Sequence, residues 1–169
     1  TEEGVVYAWG RNDKGQLGVG GGMMVDIYAM ENLPRPLEGQ LEGRKIVKIA
    51  AGYAHSACIT NLGELFIWGM GLNLEPMMVN TMSQYKCVDV ACGQNYTVVL
   101  TEGGEIFSVG KNKTGVLGHA NTKTLNQPEL VEGLADKKVI SMSAGSEHFA
   151  CLTLEHSVEE TEEIMEHKL

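Results

Sequence analysis

Three kinds of landmark recur along this chain in a constant order, and that repetition restricts the fold more than any other feature. The first is an aromatic or apolar run closed by glycine: Tyr7-Ala8-Trp9-Gly10, Phe66-Ile67-Trp68-Gly69 and Phe107-Ser108-Val109-Gly110. The second is a small residue and a glycine opening a strand: Ala51-Gly52-Tyr53-Ala54-His55, Cys92-Gly93-Gln94-Asn95-Tyr96 and Ala144-Gly145-Ser146-Glu147-His148. The third is a strand ending in threonine, at Thr60, Thr101 and Thr153. The step from the second landmark to the next glycine terminus is 17 residues both from Gly52 to Gly69 and from Gly93 to Gly110. Matched residue types held in register at a period of several tens of residues mark a propeller or a solenoid.

The segments between landmarks are short and β-prone. Ile46–Ala50 and Val139–Ser143 read as strands, as do Ser56–Thr60 and Leu65–Trp68. Asn61-Leu62-Gly63-Glu64 and Glu102-Gly103-Gly104-Glu105 read as tight turns, with Gly63 and Gly104 supplying the positive φ that such hairpins need. Each unit is then a small antiparallel meander that cannot bury its apolar face alone, so neighbours must stack on it. A further element appears twice: Asn12-Asp13-Lys14-Gly15-Gln16-Leu17-Gly18 and Asn112-Lys113-Thr114-Gly115-Val116-Leu117-Gly118. It predicts a turn folded onto the blade and anchored by its leucine. The fold expected is all-β: three to four propeller blades over residues 1–154, followed by a short acidic helix over 155–169.

These residues resemble the repeat of the regulator of chromosome condensation family, whose pattern runs from a Trp-Gly terminus through Asn-x-x-Gly-Gln-Leu-Gly to a Gly-x-x-His turn and a Leu-Thr strand end. The resemblance covers residues 4 to 154. Trp9 and Trp68 are followed by Gly and not Asp, which separates the chain from WD repeats. The second repeat departs from the pattern: after Trp68-Gly69 it reads Met70-Gly71-Leu72-Asn73-Leu74-Glu75-Pro76, without the Asn-x-x-Gly turn. The resemblance implies a ring of seven blades, so further blades or another subunit are expected to cover the open edges. Recurrence at one repeat position fits rings that pack and hydrogen-bond across the turn, here His55, Tyr96 and His148, while the resemblance implies that these residues lie on a partner-binding face. In the founding member that face meets the GTPase Ran.

Composition removes several other functions. The formal net charge is -9, against the cationic surface that phosphate binding requires, so no direct nucleic-acid contact is expected. No apolar run approaches the ~18 residues of a membrane span. The chain does not begin with Met or with a signal-peptide pattern, and we expect a fragment or processed form. Cys58, Cys87, Cys92 and Cys151 form no paired motif and are expected to be free, buried thiols of an intracellular protein in cytoplasm or nucleus. His55 with Cys58, and His148 with Cys151, have a metal-like spacing, but residues three apart in a strand face opposite ways. No metal, cofactor or catalytic residue is expected, and no nucleophile motif or paired carboxylates stand out.

Two segments remain. Gly20-Gly21-Gly22-Met23-Met24-Val25-Asp26-Ile27-Tyr28 is an apolar loop insertion, and Met23, Met24, Asp26 and Tyr28 are candidate partner contacts because methionine suits adaptable surfaces. Glu155–Leu169 carries six Glu and one Lys, with Ser157 and Glu160 placed as a capping box. The function expected is a protein-interaction scaffold and not an enzyme. The alternatives are a guanine-nucleotide exchange factor for a Ran-like GTPase, or the substrate-recruiting domain of a larger ubiquitin ligase or kinase.

Overall fold

A computed structural model describes residues 1–20 and 29–154. The Met23–Tyr28 loop and the acidic tail with its expected helix lie outside the described residues. Among the described residues twelve strands are seen: β1 (Tyr7–Arg11), β2 (Met30–Pro36), β3 (Ile46–Ala51), β4 (His55–Thr60), β5 (Leu65–Gly69), β6 (Asn73–Met78), β7 (Cys87–Cys92), β8 (Tyr96–Thr101), β9 (Ile106–Gly110), β10 (Leu125–Leu130), β11 (Lys138–Ala144) and β12 (Phe149–Leu154). They pair as β1-β2, β3-β4-β5-β6, β7-β8-β9-β10 and β11-β12, all antiparallel between sequence neighbours. Two complete four-stranded blades are therefore flanked by two half-blades. β1 and β2 correspond to the outer strands β5 and β6, whereas β11 and β12 correspond to the inner strands β3 and β4.

The period of two along each strand explains why the blades must stack. On β4, Ala57 and Ile59 enter one cluster with Leu65, Val90, Val99 and Phe107, while Cys58 enters another with Phe66 and Trp68. On β8, Val99 faces the first of these and Val98 and Leu100 face a third, with Leu117 and Val139. Each cluster sits between two neighbouring blades, so no blade has a core of its own.

The joints between blades repeat as well. The carbonyls of Gly4, Gly63 and Gly104 accept from the backbone N–H of Ile46, Cys87 and Val139, the opening strand of the following blade, at 3.0–3.1 Å. The three glycines have φ of +83°, +85° and +89°. Gly63 and Gly104 thus do more than turn a hairpin: a Cβ at Gly63 would stand 2.6 Å from Lys86 Cγ.

Strands β2, β6 and β10 had no strand signal in the sequence. Each contains proline (Pro34, Pro76 and Pro128), which reads as a breaker but is tolerated on the outermost strand of a blade, where no further ladder bond is needed.

Candidate partner-binding face

The antiparallel meander sends two sets of connections to one end of the blades. These are the turns before β4, β8 and β12, and the links from β1 to β2, β5 to β6 and β9 to β10. The His55, Tyr96 and His148 turns belong to this end, whereas Met23, Met24, Asp26 and Tyr28 lie outside the described residues.

His55 and Tyr96 are anchored by the neighbouring blade. His55 is 1% exposed, and its Nε2 lies 2.9 Å from Thr97 Oγ1 of β8. Its Nδ1 has no partner among the described residues. Burial pushes the imidazole pKa down to about 4, so the ring is neutral at pH 7. Tyr96 is 2% exposed and donates its hydroxyl to the carbonyls of Gly145 (2.8 Å) and His148, again in the next blade. The glycine that opens each turn leaves room for these rings: a Cβ on Gly52 would stand 2.6 Å from His55 Cε1. His148 occupies the same repeat position but is exposed, because no further blade follows it among the described residues. The recurring position is thus a clasp from one blade to the next: recurrence fits a packed, hydrogen-bonded ring, and the structure adds that its partner lies in the following blade. His55 and Cys58 do face opposite sides, and no metal-binding group of His, Cys, Asp or Glu is found among the described residues.

The repeated Asn-x-x-Gly turn is closed by the same side-chain bond in both copies. Asn12 Oδ1 accepts from the N–H of Leu17 at 3.1 Å, and Asn112 Oδ1 from that of Leu117 at 2.9 Å. Leu17 and Leu117 are buried. The first copy rests on the following blade as well as its own: the Gln16 carbonyl accepts from Ser56 Oγ (2.8 Å) and Trp68 Nε1 (3.0 Å). In the second repeat the corresponding link is only Met70–Leu72. Beside it, between the two complete blades, opens a cleft of about 960 Å³. His55, Tyr96 and Tyr53 line it, together with Val109, Lys111 and Asn126. The missing turn is legible in the sequence, but the space it leaves is not.

Burial raises the thiol pKa values of Cys58 and Cys92 to about 12 and that of Cys87 to about 11, so these sulfurs are unreactive packing groups. No helix among the described residues is long and apolar enough to cross a membrane.

Stacked four-stranded meanders with inter-blade cores and loop-bearing ends define a β-propeller of the repeat type. The regulator of chromosome condensation (RCC1) repeat model matches residues 3–59 and 103–152, and a second model of that repeat matches 46–73 and 87–115. The chain belongs to this family. It is 32% identical to the human E3 ubiquitin-protein ligase HERC2 over 94% of its length, which is 3% of that protein. It is equally identical to the ultraviolet-B receptor UVR8 of Arabidopsis thaliana over 90% of the chain and 36% of the receptor. The chain thus spans a minor part of these relatives. Among solved structures, human WBSCR16 superposes with a TM-score of 0.73 at 26% identity, covering 90% of this chain and 42% of that one. Prp20p from Saccharomyces cerevisiae superposes at 0.79 with 21% identity, covering 97% and 43%, and shows the shared fold.

Proposed function

We propose that the chain is a rigid protein-binding platform within a larger protein, engaging its partner through the end that carries the His55, Tyr96 and His148 turns. The observation behind this reading is the variation of the links at that end. They run 18, 3 and 14 residues between β1 and β2, β5 and β6, and β9 and β10, while the strands they join keep one register, Tyr7 with Pro36, Phe66 with Met78 and Phe107 with Leu130. A scaffold whose cores lie between blades tolerates such variation without loss of packing. Four unpaired cysteines fit a reducing compartment, cytoplasm or nucleus. The ligases among the relatives fit a substrate-recruiting role for such a platform.

The test is site-specific photo-crosslinking. Tyr53 and Leu62 are both exposed but lie at opposite ends of blade β3–β6. A crosslinker at position 53 is expected to trap a protein partner that one at position 62 does not. Trapping from position 62 alone would overturn the assignment of the face.

A second reading, nucleotide exchange on a Ran-like GTPase, is favoured by the likeness to Prp20p, a protein studied for its binding to Gsp1p and histones. Exchange would follow from tighter binding of the nucleotide-free GTPase, with no side-chain chemistry. Faster release of a fluorescent guanine nucleotide from Ran by the parent protein, reduced by His148→Ala, would support it. No acceleration by a folded parent protein would remove it.

A further inference from the structure

The cleft between the two complete blades has a filled counterpart one blade earlier. In blade β3–β6 the cross-strand pairs are His55 with Gly69 and Ser56 with Trp68; in blade β7–β10 they are Tyr96 with Gly110 and Thr97 with Val109. The outer strands align through equivalent bonds, Val79 N–H to the Leu65 carbonyl and Val131 N–H to the Ile106 carbonyl. Leu74 and Glu75 therefore correspond to Asn126 and Gln127.

On the first blade this surface is covered by the Asn12–Gly18 turn. Gln16 takes the bonds from Ser56 and Trp68, the Lys14 carbonyl accepts from the Gly71 N–H, and Gly20 donates to the Leu74 carbonyl. On the second blade the matching positions line the cleft. Ala54 and Trp68 are buried where their counterparts Asn95 and Val109 are only half-buried, and half-buried Leu74 corresponds to exposed Asn126. The second repeat has lost the turn but kept the surface that receives it, and Val109 in place of tryptophan deepens that surface.

We propose that this cleft is a peptide-binding seat whose ligand is a tight turn of the Asn-x-x-Gly-x-Leu-Gly type, presented by a partner protein. The chemistry is that of the covered blade. The turn holds itself with an Asn side chain to backbone bond, its leucine fills the apolar part of the cleft, and its carbonyls meet Lys111 and the amides of Asn126 and Gln127 in place of the Trp68 donor. Among the described residues nothing occupies this seat. The inference rests on the reading of this face as a protein-binding surface and names the partner's binding element.

The experiment uses the whole chain and a labelled nine-residue peptide with the Arg11–Val19 sequence. Saturable binding with a dissociation constant of about 10–500 µM is expected for a short turn that must be ordered on binding. Replacing the peptide's leucine by alanine is expected to weaken it at least ~10-fold. Amide shift changes should centre on Thr97, Val109–Lys111 and Asn126. Asn126→Trp, at an exposed position, should block the peptide while leaving the melting temperature unchanged. A graft of the Asn112–Gly118 turn in place of Met70–Leu72 should also abolish binding by filling the seat in cis. Absence of binding, or shift changes confined to other surfaces, overturns the seat; crosslinking from Tyr53 would then still report on the broader platform.

Discussion

His55 Nε2 lies 2.9 Å from Thr97 Oγ1, a residue 42 positions later and in the neighbouring blade. This bond ties two sheets that share no ladder, and it uses a ring that burial keeps neutral. The folded pKa of about 4 lies below the ordinary 6.5, so between those values the unfolded chain takes up a proton that the folded chain refuses. The contribution is fully present above pH 6.5 and is lost as pH falls toward 4. Urea unfolding should show stability declining by about 1.4 kcal/mol per pH unit through the lower part of that window. His55→Gln should flatten this dependence, whereas His148→Ala, at an exposed position, should leave it intact.

Tyr96→Phe tests the next clasp. It leaves the Gly145 and His148 carbonyls without their hydroxyl donor at the base of β11–β12. We expect a loss of about 1–2 kcal/mol, and hydrogen exchange should show earlier opening of β11–β12 than of β3–β6.

Glycines with similar φ should differ in cost according to what surrounds them. Gly63→Ala places a Cβ 2.6 Å from Lys86 Cγ and 2.9 Å from Lys86 Cα at the blade joint, and should cost more than about 2 kcal/mol. Gly115→Ala, with φ +77° and no neighbour within 4 Å, should cost only the left-handed backbone penalty of about 1–2 kcal/mol. Denaturant midpoints of the two variants measure the difference.

The two tryptophans should separate in fluorescence. Trp9 is 60% exposed and Trp68 is 3% exposed, although both end the same repeat landmark. Trp9→Phe should leave a blue-shifted, quencher-resistant emission with stability changed by less than about 0.5 kcal/mol. Trp68→Phe should destabilise by about 1–3 kcal/mol, because the Gln16 carbonyl loses one donor and the packing around Phe66 loosens.

Much of the architecture was legible in the residues. The order of landmarks and the 17-residue step specify β4, β5, β8 and β9, since each of those strands carries its own apolar alternation and its own glycine turn. The outer strands were not legible: Pro34, Pro76 and Pro128 weaken every local strand signal, and only pairing with β1, β5 and β9 holds them extended. The third blade joint at Gly4 was also hidden, because its partner Ile46 lies 42 residues away and no hairpin announces it.

What the sequence determined by itself is therefore the repeat, the unit of fold and the residues at each repeat position, because local turn chemistry and a period of two are properties of neighbouring residues. What only the tertiary structure decided is the role of those positions. His55 and His148 are the same residue at the same place in the repeat, yet one is a buried clasp and the other an exposed side chain, because among the described residues a blade follows His55 and none follows His148. The missing turn of repeat two reads in sequence as a deletion; stacked against its neighbour it becomes a cleft. Both differences arise between blades, where contacts depend on which surface is brought opposite, and one unit read alone carries no record of that.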